Sequence, residues 1–293
     1  MNVVPIIFLK AVVSQFFNKE MLLAASALAG LPGHVASQAY AKSCILGMWL
    51  RNGRLEEESY FNCEHEPVDI QTPNRKHLRH MQIGICAGEE KYNTDPDAME
   101  RVLSATKGKH VLLFWRTSDI SKEIAKCIES MRLLFALKVE TKITSDVLKM
   151  MRSLVEKNTL NKMDIVEDVD IAEETAQLLV DLLKQKQFHQ MFLYGKCSAA
   201  LKTIIASWRE NSEEMVGKMV YCKEEFSELQ LSSTEFPFEK CTEEEERNAK
   251  RAVLFGGLWF KITAKLVLKD QDGRAVYCFS TSSFEFKSTF LFV

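Results

Sequence analysis

The sequence predicts an α/β solenoid, with parallel strands on one side and outer helices on the other. A small helical head precedes it and a β-hairpin closes it. Three observations carry this reading: a spaced apolar triplet that recurs six times, amphipathic helical patterns between the triplets, and a strong turn signal near the carboxyl end. The triplets are Leu78-x-x-Met81-x-Ile83, Gly108-x-x-Val111-x-Leu113, Leu134-x-x-Leu137-x-Val139, Leu160-x-x-Met163-x-Ile165, Phe188-x-x-Met191-x-Leu193 and Val216-x-x-Met219-x-Tyr221. Their last members lie 26 to 30 residues apart. A fixed period in this range marks stacked strand-plus-helix units, none of which buries its own apolar face alone.

Residues 1–50 read as the helical head. Val3, Val4, Ile7, Phe8, Ala11, Val12 and Phe16 fall at helical spacing. A second helix restarts at Glu20 and ends before Gly30, Pro32 and Gly33. The pattern predicts a third over Val35–Met48. Residues 51–75, with an acidic run at Glu56–Glu58 and prolines at 67 and 73, read as a linker or irregular cap. The body spans 76–293.

Within the body, Ile124, Cys127, Ile128 and Met131 share one helical face, as do Val147, Leu148, Met151, Leu154 and Val155. Ile171 to Leu183 and Leu201 to Trp208 repeat the pattern. Thr144 or Ser145, Asp170 with Glu173, and Thr242 with Glu245 stand where helix caps belong. Asp270-Gln-Asp-Gly273 between two strand-like runs signals a hairpin. Phe255-x-x-Leu258-x-Phe260 reads as a displaced seventh triplet.

Period-two alternation sets the second face. With the triplets turned toward the helices, the outward rows are His80, Gln82, Gly84; His110, Leu112, Phe114; Ala136, Lys138, Glu140; Lys162, Asp164, Val166; Gln190, Phe192, Tyr194; and Lys218, Val220, Cys222. Phe114, Lys138, Asp164, Phe192 and Tyr194 are the candidate partner contacts, because aromatic and charged side chains on an exposed sheet face suit protein binding. The N-terminal head, a loop or the C-terminal segment folded over the aromatics is the competing reading.

The chain has 293 residues, 46% hydrophobic and 27% charged, with 38 basic and 40 acidic side chains for a net charge of −2. This composition fits a folded chain and lacks the basic footprint of a nucleic-acid binder. The eight cysteines form no C-x-x-C element. They read as free thiols of an intracellular protein, cytoplasmic or nuclear. No apolar run is long enough to span a bilayer, so no membrane partner is expected. The apolar stretch Met1–Val13 has no basic residues ahead of it and is interrupted by Pro5 and Lys10. It is read as a head helix, with a secretory leader as the alternative on the small residues Ala24–Ala29.

Chemistry-bearing motifs are sparse. Cys63-Glu64-His65-Glu66 lacks a second cluster to complete a metal site. Asp270-x-Asp272-Gly273 lacks the bidentate glutamate of a calcium loop. Neither Gly84–Gly88 nor Phe255-Gly-Gly257 forms a phosphate loop, and no nucleophile elbow occurs. No cofactor and no catalytic residue is expected.

Val4-Pro5 with Phe8, Val12 and Phe16, followed by Glu20-Met21-Leu22, resembles an F-box. A short F-box-like head before a divergent leucine-rich-repeat-like body is similar to the nematode-expanded F-box-associated proteins. The body departs from standard leucine-rich repeats, because Val166, Glu167 and Asp168, and no asparagine, follow Ile165. The resemblance implies a leucine-rich-repeat-like solenoid and a non-catalytic substrate-recruiting subunit of a cullin-type ubiquitin ligase. Val4, Pro5, Phe8, Val12, Met21 and Leu22 would meet a Skp-type adaptor, and the repeat surface would hold a target protein. A repeat scaffold unrelated to ubiquitin is the alternative. A small doubly wound α/β enzyme is a third reading; it would need apolar outward rows. Lys138, Glu140, Lys162, Asp164 and Lys218 argue against it, and Leu112, Phe114, Phe192 and Tyr194 for it.

Overall fold

A computed structural model describes residues 6–14, 19–62, 64–68, 78–88, 94–166, 171–228, 231, 236–247, 262–270, 272–281 and 286–293. The fold is α/β with mixed sheet pairing. The chain divides into two compact units, Met1–Phe135 and Ala136–Val293.

The first unit opens with three helices, α1 (Ile6–Ser14), α2 (Lys19–Ser26) and α3 (Leu31–Lys42). Val13, Leu22, Val35 and Ala36 form a small core of their own, with Leu9, Ala25, Ala39 and Tyr40 against it. Pro32 sits in the first turn of α3, where its missing N–H costs nothing. The expected third helix ends earlier than the sequence suggests. Cys44–Arg51 is instead strand β1, and part of the expected linker, Arg54–Asn62, is β2. Asn52 and Gly53 both take positive φ, 50° and 82°, and fold the two strands into a tight antiparallel hairpin. Strand β3 (Leu78–Cys86), helix α4 (Pro96–Thr106), strand β4 (His110–Arg116) and helix α5 (Lys122–Ser130) follow. The strand order is β2-β1-β3-β4, with β1, β3 and β4 parallel. Asp95 caps α4 by accepting from the Asp97 amide, and Ser121 caps α5 by accepting from the Ile124 amide.

The division of the chain falls within β5 (Leu134–Val139). The second unit continues with α6 (Ser145–Glu156), β6 (Lys162–Ile165), α7 (Glu173–Leu183), β7 (Gln190–Leu193), α8 (Ser198–Glu210), the short α9 (Ser212–Met215) and β8 (Met219–Cys222). Thr144 caps α6, as its spacing predicts. Asp170 lies outside the described residues. Strands β5 to β8 are parallel. Helix α6 packs on α7 and α7 on α8, which puts these helices on one side of their strands. The apolar positions Leu137, Val139, Met163, Ile165, Met191 and Leu193 are all buried, while the residues between them are mostly half-exposed.

The sixth triplet is corrected by the register. Met191 pairs with Val220 and Leu193 with Cys222, so Val220 and Cys222 share the helix side. Met219 and Tyr221 face the open side, and Val216 is exposed. The outward row is thus offset by one residue, and one residue flips every side chain.

The closing element is larger than a hairpin. Strands β9 (Glu239–Lys240), β10 (Ile262–Lys269), β11 (Ala275–Thr281) and β12 (Ser288–Phe292) extend the sheet in the order β8-β12-β11-β10-β9. Asp270 Oδ1 accepts from the Asp272 and Arg274 amides and fixes the β10–β11 turn, as predicted. The last strand, β12, is inserted antiparallel between β8 and β11, and all five of its residues are buried. Thr242 and Glu245 form the expected capping box. The proposed seventh triplet lies outside the described residues. Cys44, Cys86, Cys127, Cys197, Cys222, Cys241 and Cys278 are free thiols.

In place of an asparagine ladder, polar side chains just before the strands hold carbonyls at or just before strand starts. Lys109 Nζ donates to the Leu78 carbonyl at 2.9 Å. Lys218 Nζ donates to the carbonyls of Phe188, Gln185 and Lys186 at 2.6, 2.7 and 3.3 Å. Asn161 Nδ2 donates to the Gln187 carbonyl at 2.8 Å. Each bond gives a backbone carbonyl a side-chain donor.

Candidate functional site

The predicted head residues separate by burial. Phe8 is 58% exposed, and Val12 on the next turn of α1 is exposed too. Leu22 is 0% exposed and belongs to the head core, so its side chain is not a surface contact. Val4 and Pro5 lie outside the described residues, as does the side chain of Met21 on α2. Four further apolar residues are exposed that the motif did not single out: Ile6, Leu23, Leu28 and Leu31. The signal was available: α1 is apolar nearly all round, and so short a helix cannot bury every side.

On the open sheet face of the first unit, Phe114 lies beside a tryptophan that the sequence reading missed. Trp49 and Phe114 rings stand 6.1 Å apart, and the Arg116 guanidinium lies 4.9 Å from the Trp49 ring centre. Gly84 makes this possible. A Cβ there would come within 1.9 Å of the indole, so the ring lies directly over the glycine backbone. Gly47 serves Phe61 the same way, at 2.9 Å. His110 meets Phe135 edge-on, and burial holds its imidazole below the usual histidine range.

In the second unit, Lys138, Asp164, Phe192 and Tyr194 are brought together on one face of β5 to β7. Lys138 and Asp164 sit directly across neighbouring strands, and Asp164 sits across from Phe192. Lys138 pairs with Glu140 at 2.6 Å, and Lys162 with Asp164 at 3.4 Å. The same ammonium groups approach ring faces, Lys162 at 4.3 Å from Phe192 and Lys138 at 6.0 Å from Tyr194. Asp164 is only 8% exposed, and its Oδ1 has no hydrogen-bond partner among the described residues. Burial raises its carboxyl above the ordinary range. Lys162 and Lys138 pull it down, and Glu140 adds to the rise.

The aromatics of this face are covered by the chain itself. Phe192 stacks on Tyr221 at 4.3 Å with nearly parallel rings. Phe286 closes over Phe192, Tyr194 and Tyr221 at 5.2, 4.7 and 5.9 Å. Burial pushes the Tyr221 phenol above its usual range. Phe192 and Tyr194 are therefore the walls of an internal cluster with Met219, Tyr277, Phe279 and Leu291, and the charged strip of β5 and β6 borders it.

Among the described residues no three His, Cys, Asp or Glu side chains converge on a possible metal position. Around the Cys63 cluster, Asn62 accepts from the Glu64 and Glu66 amides and donates to the Glu66 carboxylate, a local turn; Cys63 itself lies outside the described residues. No described helix is long and apolar enough to cross a membrane. Compared with known protein families, with curated proteins and with solved structures, the chain matches none.

Proposed function

We propose that this protein is a non-catalytic recruiting subunit of a cullin-type ubiquitin ligase. Its helical head docks a Skp-type adaptor, and its strands and helices form a leucine-rich-repeat-like solenoid whose open face holds a target protein. The observation that carries the reading is the head surface. A bundle with its own core leaves Phe8, Val12, Ile6, Leu23, Leu28 and Leu31 in solvent, and Phe8 and Leu28 are each 58% exposed. So many large apolar side chains on so small an element mark a docking surface. Helices α6 to α8 packed on one side, and the charged strip of Lys138, Lys162 and Asp164 on the other, support the solenoid reading.

The test is co-purification of the full chain with a Skp-type adaptor. Wild type is expected to co-elute, and Phe8→Glu to abolish co-elution while leaving the unfolding midpoint unchanged. A folded wild-type chain that binds no adaptor sinks the proposal. In that case the second reading, a scaffold unrelated to ubiquitin, stands. Leu22 favours it, since this motif residue is spent on the head core.

A further inference from the structure

Parallel strands β5 to β7 are covered by full-length helices, and the closing strands are covered differently. On the helix side of β12, α8 reaches Phe292 through Trp208, with ring centres 6.4 Å apart. Nearer Ser288 the side is approached by a short 3-10 turn, Phe226–Glu228, and the segment around Phe238. Register places Leu266, Cys278 and Phe290 in one row, with Ser288 beside them, all on the side of Val220 and Cys222. A bulge in β10 between Ala264 and Leu266 adjusts that row. The result is a cleft of about 710 Å³ lined by Phe226, Leu266, Cys278, Ser288, Lys240 and Lys287. That volume lies in the range of small-molecule sites.

The lining is sorted by polarity. Phe226, Leu266 and Cys278 give an apolar base. Lys287 stands at the rim, paired with Glu225 at 3.3 Å with both side chains more than half exposed. Lys240 is exposed and forms no ion pair with any described residue. Its neighbour Glu239 lies on the opposite face of β9 by strand alternation. Among the described lining side chains, two ammonium groups stand against one carboxylate above an apolar floor.

We propose that this cleft binds a single-chain amphipathic carboxylate, with the alkyl tail on Phe226, Leu266 and Cys278 and the carboxylate between Lys240 and Lys287. This site does not depend on the ubiquitin-ligase reading. Titration calorimetry on the full chain tests it with octanoate, decanoate, dodecanoate and dodecyltrimethylammonium. Dodecanoate is expected to bind one to one, with affinity rising about fourfold per methylene along the series. The cationic amphiphile is expected to bind at least about tenfold more weakly, because its head group meets like charge. Leu266→Trp fills the floor and abolishes binding. Lys240→Glu with Lys287→Glu inverts the rim at exposed positions, so it decides the matter even if L266W does not fold; dodecanoate then weakens about tenfold. Absence of saturable binding, equal affinity for the cation, or full affinity in K240E/K287E overturns the proposal.

Discussion

Lys109 in the first unit and Lys218 in the second do the same work at different depths. Each stands two residues before a helix-side strand residue, Val111 or Val220. Each reaches the carbonyl three residues before the matching position of the previous strand, Leu78 before Met81 and Phe188 before Met191. Lys109 is half-buried, whereas Lys218 is 3% exposed and serves three carbonyls. Burial holds the Lys218 ammonium below the usual lysine range. The pair teaches that the backbone need recurs more faithfully than the apolar spacing. Lys218 marks the true phase of a repeat whose triplet was read one residue out.

The difference in depth has a measurable consequence, and it is the largest one expected. Lys218→Met removes the donor from three carbonyls; Gln185 keeps the Phe188 amide as a donor, but the buried bond to the Phe188 carbonyl is lost, and leaving a buried acceptor unmet costs up to about 3 kcal/mol. Lys109→Met, at a position water can reach, costs about 1 kcal/mol. Urea unfolding of both variants reads the two values. Equal losses, or a smaller loss for K218M, would break the comparison.

The open faces of the two units differ in how aromatic rings are accommodated. The first lays Trp49 over Gly84, using the glycine's missing side chain as a seat. The second stacks Phe192 on Tyr221 and closes Phe286 over both. Gly84→Ala places a methyl where the indole lies, so the ring must leave. A cost of about 2 kcal/mol is expected, as for other overpacked sites. Tryptophan emission should shift to the red as Trp49 becomes wetter. An unchanged spectrum together with unchanged stability would show that Trp49 does not rest on Gly84 in solution.

Much of this was legible in the sequence. Leu137, Val139, Met163, Ile165, Met191 and Leu193 announce their strands because a one-sided sheet forces alternation. Thr144, Thr242 and Asp270 announce caps and a turn because their short side chains bond nearby amides. The β1–β2 hairpin was also written there, as Asn52-Gly53, and was passed over because β1 is buried almost continuously and shows no clean alternation. The charged strip at Lys138, Lys162 and Asp164 followed from phase alone. Its closure by Phe286 could not, since that contact joins distant parts of the chain and no local pattern encodes it. Leu22 shows the same limit in the head: an apolar residue at a motif position is equally suited to a core and to a partner.

The smallest effect concerns Asp164, a buried carboxyl with no counterpart among the described residues on the open face of the first unit. Its carboxyl is raised, chiefly by burial, so the folded state resists ionising it more than the unfolded chain does. That penalty is absent below the ordinary aspartate range near pH 4 and grows as pH climbs through the raised folded value. Asp164→Asn removes the titration while keeping the shape. The stability of D164N relative to wild type is therefore expected to rise modestly between about pH 4 and pH 7, whatever constant offset the lost Lys162 pair adds. The Lys138–Glu140 pair is present in both proteins and so drops out of the comparison. Urea midpoints at the two pH values measure the change. A difference that stays flat, or falls toward neutral pH, would mean that Lys162 and Lys138 outweigh burial at this carboxylate and that the strip is a settled ion-pair network.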